Sequence, residues 1–289
     1  MDRATRTRLE RLLGSSVLAA QSLGGGHGVL HYRLTLSGGR SAFAKVQDQD
    51  PSGNEHDVFA AEAHGLSWLG EAGATPVPAV LASDRACLVT DWVDAGRPTP
   101  SAATTFGREL ARLHATGAVS FGAPWRGVIA GLPLPNDVAD SWPGWYATNR
   151  LLPYARIASD AGTLGSADTR LIEAAAARSA ELAGPPEPPS RIHGDCWSGN
   201  VLWSGDRGWL IDPAAHGGHR ETDLAMLALF GAPYLDQIVA AYDETAPLAD
   251  GWQTRVPLHQ LHPLLVHVCL FGGSYRDAAV GAARKMLAI

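Results

Sequence analysis

The sequence has few cysteines, no long apolar run and no excess of positive charge. Its three cysteines, Cys87, Cys196 and Cys269, lack a CxxC spacing, which argues against a disulfide framework and against a zinc site built on cysteine. No stretch approaches the about 20 apolar residues that cross a bilayer, and no apolar segment typical of a signal peptide follows the charged N-terminus. The net charge of −6 argues against nucleic acid as a partner. We therefore expect a soluble cytoplasmic protein that binds neither nucleic acid nor membranes.

The chain does have enough apolar material for a sizeable core, because 46% of its 289 residues are hydrophobic. Residues 1–93 contain a short amphipathic helix, then strand-like patterns in VLHYRLTL, SAFAKVQ and ACLVTDWV, with one helix over about 54–72. Helical spacing dominates from residue 94, with two short strands around VLW and GWLID. The predicted helices cover about 101–116, 141–158, 166–183, 221–230, 234–244 and 257–287. The sequence predicts an α+β protein with a strand-rich N-terminal lobe, 1–93, and a helical C-terminal lobe, 94–289.

The most informative segment is HGDCWSGN, which is followed by LIDP. Asp195 and Asn200 have the five-residue spacing of the catalytic Asp and Asn in protein kinases, and Asp212 ends an apolar strand 17 residues after Asp195. Phosphoryl transfer needs a carboxylate that accepts the proton of the attacking hydroxyl, and an amide oxygen and a second carboxylate that hold Mg²⁺ on the triphosphate. Each residue alone is common in loops. The ordered set predicts an ATP-dependent kinase with Asp195 as the base and Asn200 and Asp212 as magnesium ligands.

Lysine is nearly absent, since the chain has only Lys45 and Lys285 against 21 arginines. Lys45 lies inside the predicted strand SAFAKVQ, and a compact ammonium suits contact with phosphate as a point charge. Glu62 follows 17 residues later on the apolar face of the predicted helix, where a carboxylate is costly unless it is paired. We therefore predict an ion pair of Lys45 and Glu62 that anchors the nucleotide phosphates, rather than a solvent-facing lysine and a carboxylate that reaches water.

Two further segments are candidates for contacts with ATP. The glycine-rich GGGHG, which includes Gly25 and Gly26, lies between strands upstream of Lys45, where a loop that covers phosphates has to be. The segment LVTDWVD, with Thr90, Asp91 and Trp92, lies at the boundary of the lobes, where it would supply backbone hydrogen bonds to adenine. A glycine-rich hairpin is more often only a turn, and the second segment also fits a plain buried strand. Both interpretations stay open for each segment.

Two absences indicate the type of kinase. Gly194 stands where protein kinases have the arginine that binds a phosphorylated activation loop, and the nine residues from Asp212 to Glu221 are too few for such a loop. We therefore predict no regulation by loop phosphorylation, and a small hydroxyl-bearing acceptor rather than a protein serine or threonine. Trp197 could present a flat face to a sugar, although a position in the core is an equally good interpretation.

Five histidines are interpreted as structural or solvated: His216, His219, His259, His262 and His267. The last three could suggest a metal site, but Pro263 is expected to interrupt their helix and no carboxylate joins them. His193 is expected to support the catalytic loop. Asp223 is expected to accept hydrogen bonds from backbone amides near that loop.

Four segments carry a further signal: HGDCWSGN, LIDPAAHGGHRETDLAMLALFG, PLADGWQTR and LLVHVCLFGGSY. Together they resemble the fructosamine kinase (ketosamine-3-kinase) family, within the aminoglycoside-phosphotransferase-like kinases. The resemblance implies a bilobal protein-kinase-like fold and ATP- and Mg²⁺-dependent phosphorylation of the 3-hydroxyl of a ketosamine, free or protein-bound, and thereby protein deglycation. It implies the same roles for the residues named above, and it makes Trp197, His216 and Arg220 candidates for the acceptor site.

The chain departs from the pattern of this family at three places. Cys196 stands where leucine is usual, and residues 215–217 (Ala-His-Gly) replace a segment that is usually aromatic. His27 and Gly28 occupy the part of the glycine-rich loop where some members have a redox-sensitive cysteine, so we predict no disulfide switch.

Two other functions stay open at this point. One is phosphotransfer to another hydroxyl acceptor, such as an aminoglycoside or an amino alcohol. The other is a nucleotide-binding module without catalysis, although all five key groups are present. The sequence leaves the oligomeric state open, with a monomer as the default expectation.

Overall fold

The N-terminal part of the computed structural model is a five-stranded antiparallel sheet with two helices. The structure describes residues 1–26, 28–48 and 57–288. In chain order the elements of this part are α1 (Arg3–Leu13), β1 (Val17–Gly26), β2 (Val29–Leu36), β3 (Ser41–Gln47), α2 (Val58–Glu71), β4 (Val80–Asp84) and β5 (Cys87–Asp91). The strand order β1-β2-β3-β5-β4 puts β3 at the centre of the sheet. The predicted strands and helix are therefore confirmed, although residues 54–56 of the predicted helix lie outside the described residues.

The sheet forms because apolar residues alternate along its strands. In β2, Tyr32 and Leu34 point to one face, where they share an apolar cluster with Leu9 of α1. The turn between β2 and β3 contains Gly38 and Gly39, whose φ angles of 90° and 82° are rarely adopted by other residues. The central position of β3 follows from this hairpin and from its pairing with β5 on the other side.

The rest of the chain is mainly helical. Its helices are α3 (Pro100–Ala115), α4 (Trp142–Tyr146), α5 (Leu152–Asp160), α6 (Ser166–Ala177), α7 (Ser179–Leu182), α8 (Glu221–Phe230), α9 (Leu235–Thr245), α10 (Trp252–Phe271) and α11 (Arg276–Ala288). A π-helical turn, Ala147–Leu151, joins α4 to α5, and 3₁₀ turns cover Ser198–Asn200 and Gly272–Tyr275. The helices predicted after residue 94 are confirmed to within a few residues, except in the last one, 257–287.

Short antiparallel strand pairs complete the C-terminal part. The strands are β6 (Gly127–Ile129), β7 (Leu132–Leu134), β8 (Ser190–Ile192), β9 (Val201–Ser204), β10 (Arg207–Leu210) and β11 (His216–Gly218). They pair as β6–β7, β8–β11 and β9–β10. Only β9 and β10 were predicted, because strands of three residues are too short to show an alternating pattern.

The prediction that Pro263 interrupts its helix is wrong, since α10 runs through this residue. The proline ring removes the amide that would bond the carbonyl of His259 one turn earlier. The hydroxyl of Tyr146 lies 3.2 Å from that carbonyl oxygen and 3.0 Å from the carbonyl oxygen of Leu258, so the two carbonyls share its proton. The predicted helix 257–287 is broken later, at Gly272, whose φ is 72°.

The two parts of the chain meet along α2 and along the segment after β5. Residues 92–99 contain no helix or strand, and the division of the chain at 93 and 94 stays a prediction. Leu69 of α2 belongs to an apolar cluster of the C-terminal part, together with Phe106 and Leu210. Among the helices of the described residues, none has the length and apolar character that crossing a membrane requires.

Candidate active site

Lys45 joins carboxylates from both halves of the chain. Its strand is hydrogen-bonded on both sides, with His31 and Leu88 as the paired residues. The ammonium contacts both carboxylate oxygens of Glu62 and Oδ1 of Asp212, each at 2.8 Å. Lys45 is only 8% exposed. The predicted pair of Lys45 and Glu62 is therefore formed, and Asp212 joins it from 167 residues further along the chain.

Two carboxylates share this single ammonium. Burial would lower the pKa of Lys45, but the charges of Glu62 and Asp212 outweigh burial and raise that pKa, so the lysine stays charged at neutral pH. Burial raises the pKa of Glu62 to about 7, although the charge of Lys45 acts in the opposite direction. With both carboxylates ionised the cluster has one negative charge in excess, which favours a further cation next to Asp212.

Asp212 has an unusual backbone. Its φ of 53° lies in the left-handed region, which costs a residue other than glycine about 1–3 kcal/mol. Strand β10 ends at Leu210, two residues earlier than predicted, and Pro213 follows Asp212 directly. The side chain is bonded to Lys45 on one oxygen and is 42% exposed. Strain of this kind is typical of functional positions, and here it accompanies an accessible carboxylate oxygen beside a buried cation.

Asn200 holds the loop that carries Asp195. Its amide nitrogen donates to Oδ2 of Asp195 at 3.0 Å and to the backbone oxygen of Asp195 at 2.9 Å, with a longer contact of 3.4 Å to the backbone oxygen of Asp212. Oδ1 of Asn200, an oxygen of the type that binds Mg²⁺, has no hydrogen-bond partner among the described residues. Burial raises the pKa of Asp195 to about 7, and the hydrogen bond from Asn200 opposes that shift. The structure thus brings Asp195, Asn200 and Asp212 together as the spacing predicts.

A further carboxylate, Asp223 of α8, stabilises the loop that carries Asp195 through hydrogen bonds with its backbone. It is fully buried and accepts hydrogen bonds from the amides of His193 (2.7 Å) and Gly194 (2.9 Å), and from His114 Nε2 at 3.1 Å. Burial opposes ionisation, but the hydrogen bond and charge of His114 outweigh it and lower the pKa of Asp223. The expected contacts of Asp223 with backbone amides are therefore present.

His193 spans the site as a neutral ring. Its Nε2–H donates to the backbone oxygen of Ile211 at 2.8 Å, and its Nδ1 accepts from the amide of Asp195 at 3.2 Å. Burial lowers the pKa of His193, which fits this uncharged tautomer. The ring links the residue before Asp212 to the residue that carries the candidate base, so the expected supporting position is seen.

Gly194 occupies a position where a side chain does not fit. Its φ is 79°, and an added Cβ would overlap the carbonyl oxygen of Ala214. An arginine of the protein-kinase type is therefore excluded here by the backbone itself.

This geometry agrees with comparisons with known proteins. The family model described as fructosamine kinase matches residues 1–289. The chain belongs to the fructosamine kinase family. Two similar proteins are "Probable ketoamine kinase slr1563" of Synechocystis sp. (33% identical over 243 residues, 80% of this chain and 79% of that protein) and "Probable ketoamine kinase YniA" of Escherichia coli K12 (32% over 236 residues, 80% and 81%). The resemblance found in the sequence is confirmed, and the protein is an ATP-dependent kinase.

Solved structures confirm the fold. A crystal structure from Thermobifida fusca, provisionally described as a fructosamine-3-kinase, has a TM-score of 0.96 and 50% identity, with 100% of both chains covered. The gentamicin complex of APH(2″)-IIa has a TM-score of 0.67 at 13% identity and covers 100% of this chain and 97% of that one, which is a likeness of fold alone. The predicted bilobal, kinase-like α+β fold is therefore correct.

The glycine-rich segment, a candidate for contacts with ATP, is described only in part. Gly25 and Gly26 end β1, opposite Leu30 and Val29, so the glycine-rich segment does lie between two strands. An added Cβ on Gly25 would overlap the carbonyl oxygen of Val29. His27 lies outside the described residues. The prediction that this loop has no disulfide switch therefore stays a prediction.

The second candidate segment is split between the sheet and the connection between the lobes. Thr90 is buried in β5. The amide of Asp91 donates a hydrogen bond to the carbonyl of Ala79 at 2.9 Å and is therefore not free for a nucleotide. Trp92 follows the strand, with the guanidinium of Arg33 4.4 Å above its ring. The backbone of Trp92 is therefore the part of this segment that lies beyond the sheet.

The three acceptor-site candidates differ in accessibility. Trp197 is 38% exposed, and its ring lies over Gly199, where an added Cβ would overlap the indole. His216 is buried and its Nδ1–H donates to the carbonyl of Ala214 at 2.8 Å. Arg220 forms a two-point pair with Glu187, both contacts at 2.8 Å. Trp197 is thus the candidate with an open face.

The prediction that no carboxylate joins His259, His262 and His267 is wrong for His259. Glu221 lies beside His219 and His259, and ligand-type atoms of the three fall within 4.8 Å of one another. The guanidinium of Arg255, however, already binds both carboxylate oxygens, at 2.9 and 2.5 Å. We interpret the group as a buried ion pair flanked by neutral histidines, because burial lowers the pKa of both rings. Its members come from α8, α10 and the turn before α8, and no sequence spacing signals such a meeting.

Proposed function

We propose that this kinase transfers the γ-phosphoryl group of ATP to the 3-hydroxyl of a ketosamine of fructosamine or ribulosamine type, and that it thereby serves protein deglycation. The observation that carries the proposal is the meeting of Lys45, Glu62 and Asp212 beside the Asp195–Asn200 loop in a chain of this family. The proposal includes a cytoplasmic reaction, where ATP is available, and a substrate that is either free or bound to protein.

Asp195 is the proposed base. Its Oδ2 is occupied by the amide of Asn200, which leaves Oδ1 to accept the proton of the sugar hydroxyl. As that proton moves to Asp195, the hydroxyl oxygen bonds to the γ-phosphorus, the bond from that phosphorus to the bridging oxygen breaks, and ADP leaves with the bonding electrons. A pKa near 7 suits a base that works at neutral pH.

The phosphates are oriented by Lys45, whose own position depends on Glu62. The donor set of Asn200 Oδ1 and the Asp212 carboxylate consists of oxygens, which fits Mg²⁺. When bound, this ion supplies charge neutralisation on the triphosphate. The exposed face of Trp197, two residues after the base, is the proposed rest for the sugar ring.

The test is turnover of purified protein with Mg-ATP and a panel of acceptors: a fructosyl-amine, a ribulosyl-amine, an aminoglycoside and an amino alcohol. We expect ADP release with the ketosamines and a loss of about 10²–10⁴-fold in Asp195→Asn. The matched control is Asp206→Asn, an exposed aspartate in the turn between β9 and β10. Full activity of Asp195→Asn would overturn the assignment of the base, and turnover of only the aminoglycoside or the amino alcohol would overturn the acceptor class.

A further inference from the structure

The C-terminal end of α2 lacks a cation of its own. The last turn of a helix has carbonyl groups without helical partners and attracts positive charge. No basic residue lies in the last turn of α2, which ends at Glu71. In a regular helix the amide of Ala72 would donate to the carbonyl of Trp68, but here it donates to the carbonyls of Leu69 and Gly70. The carbonyl of Trp68 therefore needs another donor. Arg191 supplies it: its Nη1 donates to the carbonyl oxygen of Trp68.

The guanidinium of Arg191 also lies over the indole ring of Trp68 at this end of α2. Its guanidinium carbon lies 4.5 Å from the centre of the Trp68 ring, and Nη1 is 3.9 Å from a carboxylate oxygen of Glu71. The arginine side chain is only 16% exposed. A cation buried to this degree is retained only where its contacts compensate for lost water. These contacts all belong to α2.

The residue that caps α2 belongs to the strand that leads into the catalytic loop. Arg191 is the middle residue of β8 and is paired with Gly217 of β11. The catalytic loop begins two residues later, at His193. Glu62 lies on α2 six residues before Trp68, which is less than two turns. A rigid path of one helix and one strand therefore connects the carboxylate that holds Lys45 to the loop that carries Asp195.

The face of α2 that carries Glu62 lies directly on the C-terminal lobe. An added Cβ on Gly65 would be 3.1 Å from Cγ of Pro213 and 3.3 Å from Cβ of Ala215, so the helix approaches the residue after Asp212 closely. One turn further, Leu69 is fully buried in the apolar cluster of that lobe. Packing fixes the sideways position of the helix, and the contact with Arg191 fixes its end.

We propose that Arg191 is a positioning residue of the phosphotransfer site, which holds α2, and through it Glu62 and Lys45, in register with Asp195. The proposal rests on the proposed roles of Lys45, Glu62 and Asp195. Arg191 acts only through α2, so its removal deletes no group of the site but loosens the position of Glu62 and Lys45 relative to Asp195.

The test compares kinetic constants of Arg191→Met, Arg191→Lys, Glu62→Gln and the double variant Arg191→Met/Glu62→Gln. We expect kcat to fall about 10- to 100-fold in Arg191→Met, the loss that a displacement of the order of 1 Å can cause, with KM for the ketosamine unchanged. Arg191→Lys should recover part of kcat, because an ammonium keeps the charge but loses the planar stacking. In the Glu62→Gln background, the change at Arg191 should cost less than about twofold, because both act on the same element.

The matched control is Arg207→Met, which removes an arginine that bonds Glu109 within the C-terminal lobe, at 2.8 Å. It should leave kcat within about twofold. Multiplicative losses in the double variant, or a lower unfolding temperature of Arg191→Met with unchanged kcat at a temperature where it is folded, would overturn the inference. Full activity of Glu62→Gln would instead overturn the proposed role of the Lys45–Glu62 pair.

Discussion

Replacement of Asp223 gives the sharpest test of how the catalytic loop is supported. Its carboxylate is fully buried and accepts three hydrogen bonds, from the amides of His193 and Gly194 and from His114. In Asp223→Ala these three donors lose their acceptor at a fully buried position. Removing one partner of a buried charged pair costs about 3–5 kcal/mol, and each abandoned buried donor about 1–3 kcal/mol. Because the loop will relax, we expect a loss of about 3–5 kcal/mol in the free energy of unfolding.

The assay is urea denaturation followed by far-ultraviolet circular dichroism, together with kcat for the ketosamine. Asp223→Asn keeps the volume but turns one acceptor into a donor that faces a donor, so we expect a smaller but clear loss of stability. The exposed Asp206→Ala is the control and should stay within about 0.5 kcal/mol of the parent. We also expect kcat of Asp223→Ala to fall by about 10²-fold, because the two bonded amides immediately precede Asp195.

A loss below about 1 kcal/mol in Asp223→Ala would refute this reasoning, since even one abandoned buried donor costs about that much. Such a result would mean that the loop holds its shape through its own hydrogen bonds, the one that Asn200 donates to Asp195 and the one that the amide of Asp195 donates to His193. If Asp223→Ala is destabilised but keeps its kcat, Asp223 stabilises the fold without fixing the position of Asp195, and the predicted fall in kcat is wrong.

Two further predictions concern the acceptor site and the buried histidines. Trp197→Ala should raise KM for the ketosamine about 2- to 10-fold, with KM for ATP unchanged, because stacked aromatic contacts contribute about 0.5–1.5 kcal/mol; an unchanged KM for the ketosamine would remove Trp197 from the site. Stability should fall with acid below pH 6.5, because burial lowers the pKa of His219 to about 3. Above pH 6.5 that contribution is fully present, and it is lost as pH falls from the unfolded pKa of about 6.5 towards about 3, at about 1.4 kcal/mol per pH unit for one histidine. Urea denaturation at several pH values checks this, and a slope that is the same in His219→Gln would contradict it.

The candidate site residues could be picked out from the sequence because the signal of each one is local. Asp195 and Asn200 lie in one loop, Asp212 follows the next hairpin by two residues, and Lys45 lies in a strand whose alternation is visible. Glu62 was recognisable as a carboxylate on an apolar helix face that required a partner. Helical periods and short motifs are set by neighbouring residues, so these features are encoded within a few residues of one another.

Contacts between distant segments were decided only by the tertiary structure. Pro263 lies inside α10, and the carbonyl of His259 that its ring leaves without an amide is contacted by the hydroxyl of Tyr146 from another helix. Glu221 and Arg255 neutralise each other across two helices, and Arg191 completes the end of a helix that lies more than a hundred residues earlier in the chain. A polar or charged group can be satisfied by any partner that folding brings near, and no spacing along the chain records which one it will be.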